Sequence, residues 1–362
     1  MKRKLLYLTM PPPFGGGEIR NYYLNNFFKS KESYFIFDGT NKLNSKSRQG
    51  RFILYNLVFG FFIVFKLFYS IYKIKPHVLY LSLPKNFHPF LRTSLIILFA
   101  SVLNIKIVGD LAGMDFYFLN GNYIERKFGL YILKKVTTIR LLGESIKIKM
   151  EKSYNINNTV VFDNGIFLPQ NKSIQSKDFS SHINFLYCGA LNREKGIMLI
   201  IESIKKILVK KNSIRFTFLG EWSDKELKRQ VEDFIVTNNI EEYVEFPGRL
   251  VDDRKWKYFL DSHIYLQFSY MDGQPLSVLE AMGFGLPVIA SKVGAIPDTV
   301  INNRNGILIE DLNLNNICDT IIDILDNPVK CQNMSKNNLE DFKRRFTLDI
   351  YLNNVKELLE NV

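Results

Sequence analysis

FSYMDGQPLSVLEAMGFGLPVIASKVGAIPD, residues 268–298, places a loop, a helix, a strand and a second loop in one short run. Asp272, Gly273 and Pro275 open it, and the helix-favouring Ser277, Val278, Leu279, Glu280, Ala281 and Met282 follow. Gly285 and Pro287 stop that helix, because glycine takes the left-handed conformation of a helix end and proline cannot continue the hydrogen-bond ladder. Residues 288–291, Val-Ile-Ala-Ser, predict a short buried strand, and Gly294 and Pro297 open the next loop and helix. Strand and helix in alternation mean an α/β doubly wound unit.

The chemistry of the run follows from its residue types. A loop of Gly and Pro entering a helix offers backbone N–H groups and the positive end of the helix dipole, which together suit a phosphate. An ionised carboxylate only accepts hydrogen bonds, so Asp272 and Glu280 suit sugar hydroxyls. Phosphate donors beside hydroxyl acceptors point to a sugar nucleotide. An ordinary buried βα unit with a capping acid would explain neither the loop composition nor the spacing of the two acids.

The run resembles the acid-x7-acid signature of GT-B glycosyltransferases of family 4, a group of retaining enzymes. Here it reads Asp272-Gly273-Gln274-Pro275-Leu276-Ser277-Val278-Leu279-Glu280-Ala281-Met282. The resemblance implies that Glu280 holds the ribose hydroxyls and that Asp272 contacts the donor sugar. It implies that the amides across Gly273, Gln274, Pro275, Leu276 and Ser277 meet phosphate and sugar. Asp272 stands where the family usually has Glu, one methylene longer.

Other segments extend the resemblance over nearly the whole chain. Residues 184–189 predict a strand, and the loop Ala190-Leu191-Asn192-Arg193-Glu194-Lys195-Gly196 follows it. A basic loop between strand and helix offsets charge on a departing diphosphate. The family pattern there is G-R-L-x-x-E-K-G. Lys195 stands on its lysine and Ala190 on its arginine, with Arg193 a candidate to replace that arginine; the alternative for both bases is a solvated loop. Gly248, Arg249 and Leu250 resemble the family's F-x-G-x-V element at the nucleotide base, and Gly15 and Gly16 its first-strand glycine pair. Residues 160–166 resemble its N-G-I element. The loop 109–115 lies at a strand's carboxyl end, where ligands collect in such sheets. Many family members carry a histidine there; this chain has only His77, His88, His182 and His263, which leaves Asp110 and Asp115 as polar candidates. Asp110 is the one assigned to catalysis, with a loop cap as its other reading.

A chain of 362 residues suits two domains. The expected fold is α/β, GT-B, with two Rossmann-like doubly wound domains facing a cleft. Residues 1–172 form the acceptor domain, 182–345 the nucleotide-sugar donor domain, and 346–362 a helix packing back on the first. The polar stretch 169–181 serves as linker. Residues 1–175 hold 25 Lys and Arg against 9 Asp and Glu, whereas 176–362 hold 23 against 27, so the net +12 belongs to the first half. A basic half suits a pyrophosphate-bearing acceptor or an anionic membrane, or is a solvated basic face. No nucleic-acid-binding motif is present.

Residues 4–10 end in Pro11, Pro12 and Pro13 and predict a buried strand rather than a leader. Residues 52–72, FILYNLVFGFFIVFKLFYSIY, are apolar enough to consider for a membrane span. Asn56, Gly60, Lys66, Ser70 and Lys73 fall within about 140° of arc at 100° per residue, which favours a core helix with one edge able to dock on lipid. Arg48, Arg51, Lys73 and Lys75 flank it. Cys188, Cys318 and Cys331 have no metal-ligand spacing and fit a reducing cytosol.

The expected activity is therefore a retaining, nucleotide-sugar-dependent hexosyltransferase that uses a UDP- or GDP-sugar. Its expected acceptor is a lipid-pyrophosphate-linked glycan at the cytoplasmic membrane face, as in surface polysaccharide assembly. The resemblance implies no obligatory metal, and no cofactor is expected; Asp252 and Asp253 are adjacent and make no D-x-D element. Two alternatives remain: a catalytically degenerate GT-B partner subunit and a GT-B nucleotide-sugar epimerase.

Overall fold

The computed structural model describes residues 2–11, 15–40, 52–169, 177–251 and 253–362. Pro12, Pro13, Arg48, Arg51, Asp252 and the linker positions 170–176 lie outside the described residues. The chain forms two units: residues 1–163 with 349–362, and residues 164–348. The division falls before the expected linker because the Ile166 N–H donates to the Phe346 carbonyl and the Leu348 N–H to the Ile166 carbonyl. That exchange ties the segment after Asp163 to the second unit.

The first unit is a parallel sheet of β1 (Lys4–Leu8), β2 (Tyr34–Asp38), β3 (Val78–Ser82), β4 (Lys106–Asp110), β5 (Thr138–Leu141) and β6 (Thr159–Val161), in the order β2-β1-β3-β4-β5-β6. Its inner strands are apolar on both faces, as a sheet covered by helices requires. The order reverses between β1 and β3, and the helix Gly16–Phe28 follows β1. Gly15 is the N-cap of that helix in extended conformation, so both glycines sit at the strand-order switch of the first sheet.

Residues 52–74 form one helix, Phe52–Ile74. Ile63, Val64, Leu67 and Ile71 are buried, and the Phe68 ring stacks on Phe99 of the helix Phe87–Val102. Its solvent face is not the polar arc expected from the sequence. Gly60 is buried, where a Cβ would meet the Arg92 side chain at 3.5 Å, so that part of the arc faces protein. Phe62, Phe65, Tyr69 and Tyr72 are exposed instead, beside exposed Lys66 and Lys73. Among the described residues no helix is long and apolar enough to cross a membrane.

Asp110 ends β4 and is 1% exposed. Arg20 lies 3.0 Å from one carboxylate oxygen and Arg140 donates to the other at 3.0 Å, while the Tyr80 hydroxyl donates at 3.0 Å. Arg140 also donates to the Phe162 carbonyl, and its guanidinium lies over the Phe162 and Tyr351 rings. Burial opposes the charge on Asp110, yet the two guanidinium groups hold its carboxyl below the usual range. The catalytic expectation for Asp110 is corrected: Tyr80 of β3, Arg140 of β5 and Arg20 of the helix Gly16–Phe28 close over it, and its carboxylate neutralises buried arginines in the core. Asp115 is likewise buried, accepting from Lys149, Asn120 and Tyr154.

The second unit is a parallel sheet of β7 (Ile183–Cys188), β8 (Ile214–Leu219), β9 (Val244–Gly248), β10 (Ile264–Gln267), β11 (Val288–Ser291) and β12 (Gly306–Ile309). Its order is β12-β11-β10-β7-β8-β9. One face packs on the helix Ile197–Leu208, whose Ile197, Ile200, Ile201, Ile204 and Ile207 recur at helical spacing and are buried. The other packs on the helix Leu276–Gly283 through Val278, Leu279, Ala281 and Met282. In this order the sheet reverses between β10 and β7, which puts the loops after those two strands side by side.

Candidate active site

Those two loops carry the acidic and basic residues singled out in the sequence. The loop after β7 ends in Gly196, with φ +67°, and a Cβ there would stand 2.2 Å from the Phe268 carbonyl oxygen. Only glycine allows this approach, since a side chain would have to displace backbone. The Tyr270 N–H donates to the Glu194 carbonyl at 2.9 Å, which fixes one loop against the other.

Lys195 is delivered by this clasp to Asp272, with Nζ 2.5 Å from Oδ2. Gln267 and Ser269 donate to the same oxygen at 3.3 Å each, and the Gly273 N–H reaches Oδ1 at 3.1 Å. Asp272 is thus a fixed carboxylate with most of its acceptor capacity taken on one side. Behind it, Gly294 has φ +57°, and a Cβ there would stand 1.9 Å from the Asp272 carbonyl oxygen. The loop after β11 therefore buttresses Asp272 and Gly273, and the Ala295 N–H donates to the Gly273 carbonyl.

Pro275 is the N-cap of the helix Leu276–Gly283 and makes no side-chain cap, so the first-turn amides of Leu276 and Ser277 receive no side-chain acceptor from it. Pro275 and Leu276 open the helix, and Ser277 hydrogen-bonds the Tyr265 hydroxyl. Gln274 is buried, with its amide donating to Thr299 and its carbonyl accepting from the Asn164 N–H. Its side chain anchors the loop. Glu280 lies one turn into the helix, and both of its oxygens are 2.6 Å from Lys255 Nζ. Burial pushes the Glu280 carboxyl above the usual range, with Lys255 pulling the other way.

Arg193 does not join this group. Its guanidinium pairs with Asp224 at 3.2 Å and donates to Gln230, and its side chain is 55% exposed. It ties the loop to the helix Lys225–Thr237, so it leaves the arginine position of the basic loop unfilled. At the end of β9, Gly248 has φ +83° with open space beside it, Arg249 lies 3.8 Å from Glu221, and Leu250 packs on the core. Gly15, Gly16 and Asp110 belong to the other unit. Among the described residues no group of three or more His, Cys, Asp and Glu side chains gathers.

Lys255 is the residue that sequence reading missed. It sits in the helix Asp253–Asp261, four residues before the buried Phe259 and hence on the same face. A lysine in register with a buried aromatic was the available signal.

Residues 170–341, nearly all of the second unit, match the family described as Glycosyl transferases group 1. An uncharacterized glycosyltransferase of Methanocaldococcus jannaschii is 26% identical over 72% of this chain and 70% of its own. The poly(ribitol-phosphate) alpha-N-acetylglucosaminyltransferase of Staphylococcus aureus is 25% identical over 63% of this chain, and the match spans 46% of that protein. Among solved structures, the sucrose-phosphate synthase of Thermosynechococcus elongatus superposes with a TM-score of 0.78 at 16% identity, covering 100% of this chain and 99% of its own. HepE of Anabaena, solved with UDP and glucose, does so with 0.74 at 13%, covering 99% and 100%. Two parallel doubly wound sheets, the acid-x7-acid helix and these likenesses agree: the chain has the GT-B fold, and its second unit matches the group 1 glycosyltransferases.

Proposed function

We propose that the protein is a retaining hexosyltransferase that takes its sugar from a nucleoside-diphosphate donor, held mainly by the second unit. One observation carries this: the loops after β7 and β10 bring Lys195, Asp272 and the start of the Glu280 helix to the reversal point of one sheet. Glu280 accepts from the ribose hydroxyls, Asp272 from a hydroxyl of the donor sugar, and the first-turn amides meet phosphate. The acceptor hydroxyl attacks the anomeric carbon from the face the diphosphate leaves. The bond from that carbon to the diphosphate oxygen breaks, the bond to the acceptor oxygen forms on the same face, and the acceptor proton passes to the departing phosphate. Lys195 offsets the charge growing there, so the reaction calls for no metal. HepE of Anabaena was solved in complex with UDP and glucose, which favours a UDP-sugar.

The experiment is binding of UDP-, GDP-, ADP- and dTDP-sugars to wild type and Glu280→Gln, followed by donor hydrolysis with the anomer assigned. The expected result is one preferred donor, slow hydrolysis with retention, and affinity at least about tenfold weaker in the variant. Inversion, or equal binding by the variant, sinks the reading.

The acceptor in this reading is a lipid-linked glycan, and the protein works at the cytoplasmic face of an anionic membrane. Support comes from the exposed rings of Phe62, Phe65, Tyr69 and Tyr72 beside Lys66 and Lys73 on one side of a helix. Between Asp38 and Asp110 the sequence holds ten Lys and Arg and no acid. Aromatic rings at the headgroup level and lysines toward anionic lipid are a complementary pair. The relatives fit as well: one is named for amylovoran biosynthesis and another for poly(ribitol-phosphate). Cosedimentation with phosphatidylglycerol vesicles is expected for wild type, and about a tenfold loss for Phe65→Ser with Tyr69→Ser. Equal binding to phosphatidylcholine, or a lipid-free dimer that these substitutions dissolve, would overturn the membrane assignment.

A further inference from the structure

Lys255 and Glu280 form a closed pair for which donor binding alone supplies no reason. The helix Asp253–Asp261 carries the lysine and the helix Leu276–Gly283 the acid. Their side chains are 16% and 13% exposed, and Nζ is 2.6 Å from each carboxylate oxygen. The ammonium also lies over the Trp256 ring at 4.8 Å and the Phe259 ring at 5.6 Å. Aromatic faces and the acid together fix its position.

A carboxylate offers about four acceptor sites, two on each oxygen. A bidentate ammonium takes one on each, which leaves one on each for a vicinal diol. A lysine so placed therefore does not compete with a ribose for Glu280. It sets the plane of the carboxylate and supplies the opposite charge that a buried acid needs to stay ionised.

We propose that Lys255 is a positioning residue, which keeps Glu280 an ionised and fixed acceptor for the two ribose hydroxyls of a nucleoside diphosphate. The inference rests on the reading that Glu280 takes the ribose. Two titratable groups on neighbouring elements act with Glu280: Lys255 from its helix and Cys188 from β7. Burial pushes the Cys188 thiol up to about 12, so it is neutral and leaves Lys255 as the opposing charge. Without that ammonium, desolvation of Glu280 is unopposed and its carboxyl titrates higher still. The neutral acid presents one O–H donor and loses part of its acceptor capacity, so affinity then falls as pH falls through the raised value.

The test is calorimetric binding of UDP to the full chain, from about pH 5.5 to about pH 8.5, for wild type, Lys255→Met, Lys255→Arg and Glu280→Gln. Lys255→Arg keeps the charge and is expected to follow the wild-type profile. Lys255→Met is expected to bind about tenfold more weakly near pH 6 than near pH 8, while the wild type changes far less. A uniform loss at every pH, or none, overturns the inference, because packing or a direct phosphate contact would act without regard to Glu280 ionisation. If the methionine variant is unfolded by circular dichroism, Lys255→Gln takes its place. Glu280→Gln separates the two claims. If it weakens UDP while the Lys255 variants keep the wild-type profile, this inference alone fails; if it binds as tightly as wild type, the ribose reading fails with it.

Discussion

Replacing Lys195 with alanine is expected to lower kcat by about 10²–10³-fold while KM for the donor changes far less. The ammonium sits at the mouth of the loops after β7 and β10 and is held by Asp272. Negative charge on the diphosphate grows as its bond to the sugar breaks, so an ammonium there acts more strongly on the transition state than on the bound donor. Arg193 cannot substitute, because Asp224 and Gln230 hold it on the outer side of the loop. Initial rates against donor concentration read both constants. A rise in KM with kcat unchanged would mean that Lys195 only binds the ground state, and the leaving-group role would be withdrawn.

The second large effect is on stability and lies in the other unit. Asp110→Asn is expected to destabilise the first unit by about 3–5 kcal/mol, because it leaves Arg20 and Arg140 buried without the carboxylate that neutralises them. For a unit of this size the shift corresponds to a drop in Tm on the order of 10 °C. UDP binding by the second unit is expected to survive. Thermal melts followed by circular dichroism, with UDP calorimetry well below the transition, distinguish this outcome from its rival. An unchanged melt with a kcat collapse would return Asp110 to the catalytic machinery.

Acidic loss of stability has a matching sign. The carboxyl of Asp110 is held below its usual range when folded, so its contribution is complete above the unfolded value near pH 4 and disappears as pH falls through the lower folded one.

The loop and helix carrying Asp272 and Glu280 were legible in the sequence because their signals are local. Turn residues at fixed offsets, a short helix and a four-residue apolar strand specify the run from β10 to β11 with little help from the rest of the chain. The loop carrying Lys195 was legible for the same reason. Asp110 was misread because the groups that bury it come from β3, β5 and the first helix, and a loop-end aspartate looks the same whether arginines or solvent await it. The exposed face of Phe52–Ile74 was misread for a related cause. Periodicity tells which residues share a face, and the packing partner decides which face is covered; here Gly60 turned toward Arg92 and the aromatic side was left outside. Arg193 was a charge at plausible spacing whose side chain found nearer partners.

Residues 349–362 complete the first unit, although residues 164–348 separate them from the rest of it. Tyr351 is part of that core, its ring against the Arg140 guanidinium. A ribosome delivers residues in order and most domains fold as they emerge, the N-terminal one first. Here the earlier-made sheet waits for its last side chains while the later unit has its whole sequence in hand. The half of the protein that is translated first is the half whose interior closes last, and for that interval its basic, aromatic surface belongs to an incomplete fold.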